Sequence, residues 1–149
     1  MAATTSGAIK ARLESLAFGV PVFRDGARPK QTPPFVVVTE ALGITLDTAN
    51  GDFGDPDAEI NIIETAAVDL IEYARSKENA EKARAMERYG LAETIARALH
   101  GHGLPAHPAK VTAVKATEID RYPIADNRVR SSIKVLIHRE LLRSEVTPA

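Results

Sequence analysis

The run N-R-V-R-S-S-I-K-V-L-I-H-R-E-L, residues 127–141, constrains the fold of this chain more than any other feature. Its apolar residues alternate with polar ones, a period of two that predicts a strand with one buried and one solvated face. The buried side carries Val129, Ile133, Val135 and Ile137, and the solvated side carries Arg128, Arg130, Ser132, Lys134 and His138. The segment P-I-A-D-N separates this run from V-T-A-V-K-A-T-E-I-D-R-Y. We therefore predict a C-terminal β-hairpin.

Three further segments bear on the sheet. The β-branched run F-V-V-V-T-E-A-L, between Pro34 and Gly43, predicts a buried strand that continues as I-T-L-D-T beyond a bend at Gly43. Residues 20–34 predict a short extended piece followed by an exposed, proline-rich loop. The segment Glu59–Ala74 stays ambiguous, because its alanines suit a helix while its aliphatic residues also suit a period of two.

Two helices are predicted. The first begins after Ser6 as N-cap and ends before Gly19, with one apolar stripe formed by Ile9, Leu13 and Leu16. Asn79 caps the second, whose apolar stripe runs down to Leu99.

Length and composition narrow the class of protein. A chain of 149 residues fits a single domain, 1–149, with residues 1–5 and 144–149 as flexible tails. The sequence contains no cysteine, which excludes a disulfide framework and thiolate metal sites and makes a reducing cytoplasm the default. No apolar run is long enough to span a bilayer, and the first residues lack a signal-peptide pattern, so we expect a soluble protein without a membrane partner.

The stretch L-H-G-H-G-L-P-A-H-P, residues 99–108, holds three of the four histidines. Neutral imidazole is a common zinc ligand, and three of them close in sequence suggest a metal site. Their spacing matches none of the metalloprotease patterns, however. Glycine in the left-handed conformation followed by Pro105 also explains the stretch as a helix end, and this second interpretation is favoured.

The segment D-T-A-N-G-D-F-G-D-P-D-A-E, residues 47–59, holds several carboxylates in one loop, as a calcium-binding loop does. Counted from Asp55, the calcium-loop pattern places Ile60 where it needs glycine and Ala66 where it needs a bidentate glutamate. An acidic, solvated turn is therefore the better interpretation.

No other motif indicates catalysis or nucleotide binding. The sequence has no G-x-S-x-G elbow, no P-loop and no dinucleotide fingerprint. The polar side of the last strand could touch phosphates, but no aromatic residue stands among its basic ones for base stacking. We assign no catalytic, cofactor-binding or metal-binding residue, and we expect no cofactor and no enzyme activity.

The order of these elements resembles a known family. The segment V-P-V-F-R-D-G-A-R-P-K-Q-T-P-P-F-V-V-V is similar to the V…DG…P…PYVVI opening of the tail-terminator, or tail-completion, proteins of long-tailed bacteriophages. The resemblance continues through the helix ending A-E-T-I-A-R-A-L-H-G and the closing hairpin, and covers residues 9–139.

The resemblance implies an α+β domain in which two main helices pack on a mostly antiparallel sheet of about four to five strands. It also implies that Glu59–Ala74 forms a long strand. The function it implies is a structural one: a ring, generally a hexamer, that caps the tail tube and joins it to the capsid neck. Its partners are then further copies of itself, the tail-tube protein and a head-closure or connector protein, and DNA passes through the ring without being read. Such a protein is assembled in the host cytoplasm and resides in the tail or neck of the virion.

The distribution of charge fits a ring. Residues 31–74 contain nine acids and neither Lys nor Arg, whereas all nineteen basic residues lie elsewhere. A head-to-tail ring needs two different, complementary surfaces on each subunit. The candidate acidic residues, for a subunit contact or for the ring bore, are Asp47, Asp52, Asp55 and Asp57. The candidate basic contact face is Arg128, Arg130 and Lys134.

Two alternatives remain at this point. The chain is another neck, head-closure or minor tail protein, or, less expected, a small metal-dependent hydrolase that uses the histidine stretch.

Overall fold

The computed structural model describes residues 4–16, 19–24, 31–46, 61–73, 90–124 and 128–141. Within these ranges the elements follow the order α1 (Thr5–Ser15), β1 (Val22–Arg24), β2 (Phe35–Leu46), β3 (Asn61–Tyr73), α2 (Gly90–Leu99), β4 (Val111–Ile124) and β5 (Arg128–Glu140). Four of the strands are 12 to 14 residues long, whereas the helices have 11 and 10 residues. The chain is therefore mostly β, and the expected α+β class is wrong.

The sheet is mixed, which also corrects the expected antiparallel arrangement. The described strands lie in the order β1-β2-β3-β5-β4. Three of the four pairings are antiparallel, but β1 runs parallel to β2, with Val22 opposite Val36. The extended piece predicted within residues 20–34 thus becomes an edge strand of the sheet. A period-two pattern says which side chains face the core but not which way the strand runs, because either direction buries Val22.

The ambiguous segment is a strand, as the family resemblance implied. β3 lies in the middle of the sheet, antiparallel to both β2 and β5, and Val68 stands opposite Val38 on one side and Ile133 on the other. The bend predicted at Gly43 is also found, since the register of β2 against β3 shifts between Glu40 and Ile44. Tertiary pairing on both sides decides the conformation that local pattern left open.

Both helices pack on the same face of the sheet and close one apolar core. The core contains Ile9 and Leu13 from α1 together with Ile95 and Leu99 from α2, while Leu16 lies exposed. Inward side chains of the strands complete it: Val36, Val38, Ala66, Val68, Leu70, Val114, Ile133, Val135 and Ile137. The predicted C-terminal hairpin is present as β4 and β5, with Ile124 paired to Arg128 next to the turn. The opposite face of the sheet, which we call the open face, carries the alternate residues of each strand.

Helix α1 begins two residues earlier than predicted, with Thr4 rather than Ser6 as N-cap. The Thr4 hydroxyl accepts a hydrogen bond from the Gly7 N–H at 3.1 Å, which satisfies one unpaired donor of the first turn. The Ser6 N–H donates instead to the Glu40 carboxylate of β2. A carboxylate at a helix N-terminus is favourable for the helix dipole and fixes α1 to the sheet. None of the helices in the described ranges is long and apolar enough to cross a membrane.

Candidate interaction surfaces

The histidine-rich stretch ends helix α2. The helix stops at Leu99, and Gly101 has a φ of +77°, a conformation that favours glycine. The His100 N–H donates to the Ala96 carbonyl at 2.8 Å, as the last helical hydrogen bond, whereas the Gly101 N–H donates to the Val114 carbonyl on β4 at 2.8 Å. The predicted helix end is confirmed, and it also joins α2 to the hairpin.

Two histidines of this stretch use a ring nitrogen to bind backbone. His100 Nδ1 accepts from the Ala116 N–H at 3.1 Å, and His107 Nδ1 accepts from the Ala109 N–H at 3.0 Å. A ring nitrogen that accepts a hydrogen bond uses its lone pair for that bond and does not coordinate a metal ion. Across the part of the chain that the structure describes, no group of three or more His, Asp or Glu side chains is placed to hold a metal.

A surface cavity of about 270 Å³ lies beside this helix end. Residues 100–103 and 111–115 line it, and none of these residues is a carboxylate. A hydrolytic metal site needs a carboxylate or a histidine as base beside its ligands. The cavity brings together only His100 and His102, with Lys115 as the nearest charged group in its lining.

Four residues distant in sequence form a cluster that we call the polar junction: the buried Thr5, Glu64 and Arg139 and the half-buried His107. Arg139 Nε and Glu64 Oε1 form an ion pair, and the two side chains are 5% and 10% exposed. The Thr5 hydroxyl donates to the same Glu64 oxygen at 2.5 Å, and His107 Nε2 lies 2.9 Å from Thr5 Oγ1. The junction ties the start of α1 to β3, to β5 and to the loop before β4.

The proton positions in the polar junction follow from His107. Because His107 Nδ1 accepts from Ala109, a neutral ring carries its proton on Nε2 and donates it to the Thr5 oxygen. The Thr5 hydroxyl then donates a hydrogen bond to the Glu64 carboxylate, whose negative charge is balanced by Arg139. Each of these polar groups has a partner, so the cluster stabilises the fold once all four residues are in place.

The sequence analysis missed the polar junction, although two signals were available. Glu64 occupies an inward position of β3 between Ile62 and Ala66, and Arg139 occupies an inward position of β5 after Ile137. A charged residue at an apolar position of a period-two pattern has to find a partner when buried. Two such residues of opposite charge on adjacent strands indicate an ion pair.

The predicted basic residues Arg128, Arg130 and Lys134 all lie on the open face of β5. Lys134 is exposed and the two arginines are half-buried. The register places Lys134 opposite Glu118 of β4. In the next row, Ser132 stands between two acidic residues, Asp69 of β3 and Asp120 of β4. The open face is thus mixed in charge, with its arginines concentrated at one end.

That end carries a second cluster, which we call the Tyr–Arg patch: Tyr73, Tyr122, Arg128 and Arg130. Tyr73 lies opposite Arg128, and Arg130 lies opposite Tyr122. The Arg130 guanidinium carbon stands 5.9 Å from the centre of the Tyr122 ring, within cation–π range. The tyrosine residues are 55% and 40% exposed, and they are two of the four large hydrophobic residues that the described structure leaves exposed. Sequence reasoning singled out the arginines but missed both tyrosines.

The polar atoms of this end are incompletely paired. Among the described residues, Arg128 Nε, Arg130 Nε and Asp69 Oδ1 are buried and have no hydrogen-bond partner. Arg128 Nη2 reaches the Gln31 carbonyl only at 3.4 Å, and Arg130 Nη1 reaches the Tyr122 hydroxyl only at 3.5 Å. Buried donors without partners are uncommon in folded proteins and call for an explanation.

The predicted acidic residues Asp47, Asp52, Asp55 and Asp57 lie outside the described residues. The neighbouring strands fix where their segment leaves the sheet, since β2 ends at Leu46 and β3 begins at Asn61. The Tyr–Arg patch lies at the other end of β3. Thirteen strand residues span about 40 Å, so the acidic segment and the patch are attached to opposite ends of the sheet.

The fold and its surfaces can be compared with known proteins. No family model matches the sequence, and no curated protein matches it. Among solved structures, the chain is similar to a chain in the structure "Virion of native gene transfer agent (GTA) particle". The TM-score is 0.60 at 15% sequence identity, over 92% of this chain and 95% of that chain. At this identity the likeness shows the fold: nearly the whole chain adopts the architecture of a component of a gene transfer agent virion.

Proposed function

We propose that this protein is a structural subunit of a phage-type virion, and specifically a tail terminator. In this role several copies, six in the simplest case, form a ring that caps the tail tube and joins it to the neck of the capsid. DNA passes through the ring without sequence-specific recognition. The protein is then located in the tail or neck of the particle, acts with the tail-tube protein and a head-closure or connector protein, and has no enzymatic activity.

One observation carries the proposal: the likeness to a chain of a gene transfer agent virion extends over nearly the full length of both chains. A partial match would leave room for an additional functional domain, whereas this match leaves little of either chain unaccounted for. The family resemblance of the sequence adds the position within the particle. Charges of opposite sign at opposite ends of the sheet also favour a head-to-tail assembly.

A second candidate, another neck, head-closure or minor tail protein, rests on the same likeness and differs only in where the subunit sits. The metal-dependent hydrolase is disfavoured by a specific observation. The Nδ1 atoms of His100 and His107 accept hydrogen bonds from backbone N–H groups. The cavity beside His100 has no carboxylate in its lining.

The test is the native mass of the purified protein, measured alone and after mixing with the tail-tube protein of the same particle. A terminator forms a closed ring that binds to one end of a tube and stops its growth. We expect a discrete oligomer and, by electron microscopy, tubes with one capped end. A strictly monomeric protein that leaves tube length unchanged contradicts the proposal. Binding to isolated capsid necks but not to tubes favours the second candidate instead.

A further inference from the structure

We propose that the Tyr–Arg patch of one copy binds the acidic segment 47–57 of a second copy. This inference rests on the proposed ring, because it names the two surfaces through which neighbouring subunits join. It goes beyond the ring in assigning a contact to Tyr73, Tyr122, Arg128 and Arg130.

The composition of the patch is that of a protein-binding site. Tyrosine and arginine are the residues most enriched at the energetic centres of interfaces, since both combine apolar area with directed hydrogen-bond donors. Here the two types alternate across adjacent strands, on the sheet face opposite to the two described helices. In the same row as Arg130, Phe35 and Ile71 are paired with each other and buried, so the exposed apolar area of the patch comes from its two tyrosines.

The chemistry of the patch selects an acidic occupant. Two half-buried guanidinium groups lie on adjacent rows of β5, and the Nε atom of each has no hydrogen-bond partner among the described residues. Guanidinium presents a planar fork of donors that matches a carboxylate in two-point geometry. The Nη atoms of these arginines make only long contacts, at 3.4 Å to the Gln31 carbonyl and 3.5 Å to the Tyr122 hydroxyl, so an aspartate-rich segment would offer them stronger acceptors.

The chain supplies such a segment. Residues 47–57 contain Asp47, Asp52, Asp55 and Asp57 and no basic residue, and three glycine or proline residues limit its tendency to form regular structure. The charge complementarity with the arginines of the patch is therefore strong, and the segment lies within the longest stretch of the chain that lacks Lys and Arg.

The dimensions of the sheet disfavour this contact within one copy. Both ends of the segment are anchored at one end of the sheet, at Leu46 and Asn61. Fourteen residues lie between these anchors, so the segment extends at most about 25 Å from them. Arg130 and Arg128 lie about 33 Å and 40 Å along β3 from the same anchors. Within one copy the contact would need the segment at nearly its full extension, whereas a neighbouring copy imposes no such demand.

A contact between two different surfaces of identical chains is heterologous and repeats from subunit to subunit. Each copy offers its acidic segment to one neighbour and its patch to the other. Such a series closes into a ring when the rotation between neighbours permits it.

Charge reversal in trans tests the proposal. Two variants, Arg128→Glu/Arg130→Glu and Asp52→Lys/Asp55→Lys, are each examined alone and as an equal mixture by native mass measurement and sedimentation at about 0.15 M salt. We expect each variant alone to associate at least about tenfold more weakly than the wild type, because like charges meet in the arginine variant and the acidic segment loses its net charge in the aspartate variant. The mixture is expected to regain the oligomer when the two variants alternate, since the substituted positions of neighbouring subunits are then opposite in charge.

The matched control is Lys110→Glu/Lys115→Glu, which makes the same change of charge at exposed positions outside the patch. It should associate like the wild type. The chain carrying all four reversals restores complementarity within a single sequence, and its assembly shows that the reversed residues fold. Circular dichroism of each variant provides the same check directly.

The outcomes distinguish a failure of the proposed contact from a failure of the proposed ring. If the wild type forms a ring and both reversals leave it intact, the proposed contact is wrong while the proposed function stands. If Arg128→Glu/Arg130→Glu disrupts association but Asp52→Lys/Asp55→Lys does not, the patch binds a different acidic partner and the proposal fails as stated. A wild type that stays monomeric at every protein concentration, with or without tail-tube protein, overturns both.

Discussion

The polar junction and the Tyr–Arg patch are both built from arginine and polar side chains on the same sheet, yet they differ in completeness. At the junction, the Arg139 and Glu64 side chains are almost fully buried, and Thr5 and His107 complete their hydrogen bonds. At the patch, the arginines are half-buried, the tyrosines are exposed, and two Nε atoms lack partners among the described residues. A completed cluster serves the fold of one chain, whereas an incomplete one is available to a partner.

The largest effect is expected at the junction. Arg139→Met removes the positive charge and leaves the Glu64 carboxylate buried without its counter-ion, which should lower the free energy of unfolding by about 3–5 kcal/mol. Urea denaturation measures this loss. The double variant Glu64→Leu/Arg139→Met removes both charges and should recover most of it. A double variant as unstable as the single one would contradict the role of the unpaired charge.

A smaller loss is expected when only the hydrogen bonds of the junction are broken. Thr5→Val keeps the shape of the side chain but removes the hydroxyl that links His107 to Glu64. The expected cost is about 1–2 kcal/mol, because the half-buried His107 imidazole and the buried Glu64 carboxylate each lose one partner. Thr5→Ser, which keeps the hydroxyl, is the control and should unfold at a higher urea concentration than Thr5→Val. Equal destabilisation by both substitutions would assign the effect to packing.

An exposed ion pair on α2 provides the contrast to the buried ion pair of the polar junction. Arg97 and Glu93 on α2 are 2.6 Å apart, but their side chains are 79% and 50% exposed. Water screens this pair, so Arg97→Ala should change the free energy of unfolding by no more than about 0.5 kcal/mol. Thermal and urea unfolding provide the measurement. A loss comparable to that of Arg139→Met would show that pairing alone, rather than burial, determines the energy.

The smallest effect on stability is expected at the Tyr–Arg patch. Arg128→Ala/Arg130→Ala removes a weak cation–π contact together with two buried Nε atoms that lack partners in the described structure. These contributions oppose each other, so we expect the stability of the isolated subunit to change by less than about 0.5 kcal/mol. Self-association should nevertheless weaken in the same preparation. Destabilisation of several kcal/mol would place the patch among the folding elements and remove the contrast with the junction.

Much of the secondary structure was predictable because each residue pattern reports a local requirement. The alternation of residues 127–141 indicated the inward and outward sides of β5 correctly, and Gly101 with Pro105 indicated the end of α2. The N-cap was misplaced by two residues because Thr4 and Ser6 are both good caps. Only contacts with β2, including the hydrogen bond from the Ser6 N–H to Glu40, distinguish them.

The candidate surfaces were less predictable because they depend on register. Arg128, Arg130 and Lys134 could be assigned to one side of a strand, but their neighbours come from other strands. Pairing with β4 brings Glu118 and Asp120 onto this face and makes it mixed in charge. The same pairing brings Tyr122 beside Arg130, a juxtaposition that no spacing along the chain encodes.

The sequence by itself determined which side chains turn inward, where α2 ends and that a hairpin closes the described chain, since these follow from periodicity and from glycine and proline. Only the tertiary structure decided that β1 is parallel to β2, that residues 61–73 form a strand, and that Thr5, Glu64, His107 and Arg139 meet. The physical reason is that local patterns specify the burial of a face, whereas strand direction, conformation of ambiguous segments and polar partners depend on which strands lie side by side.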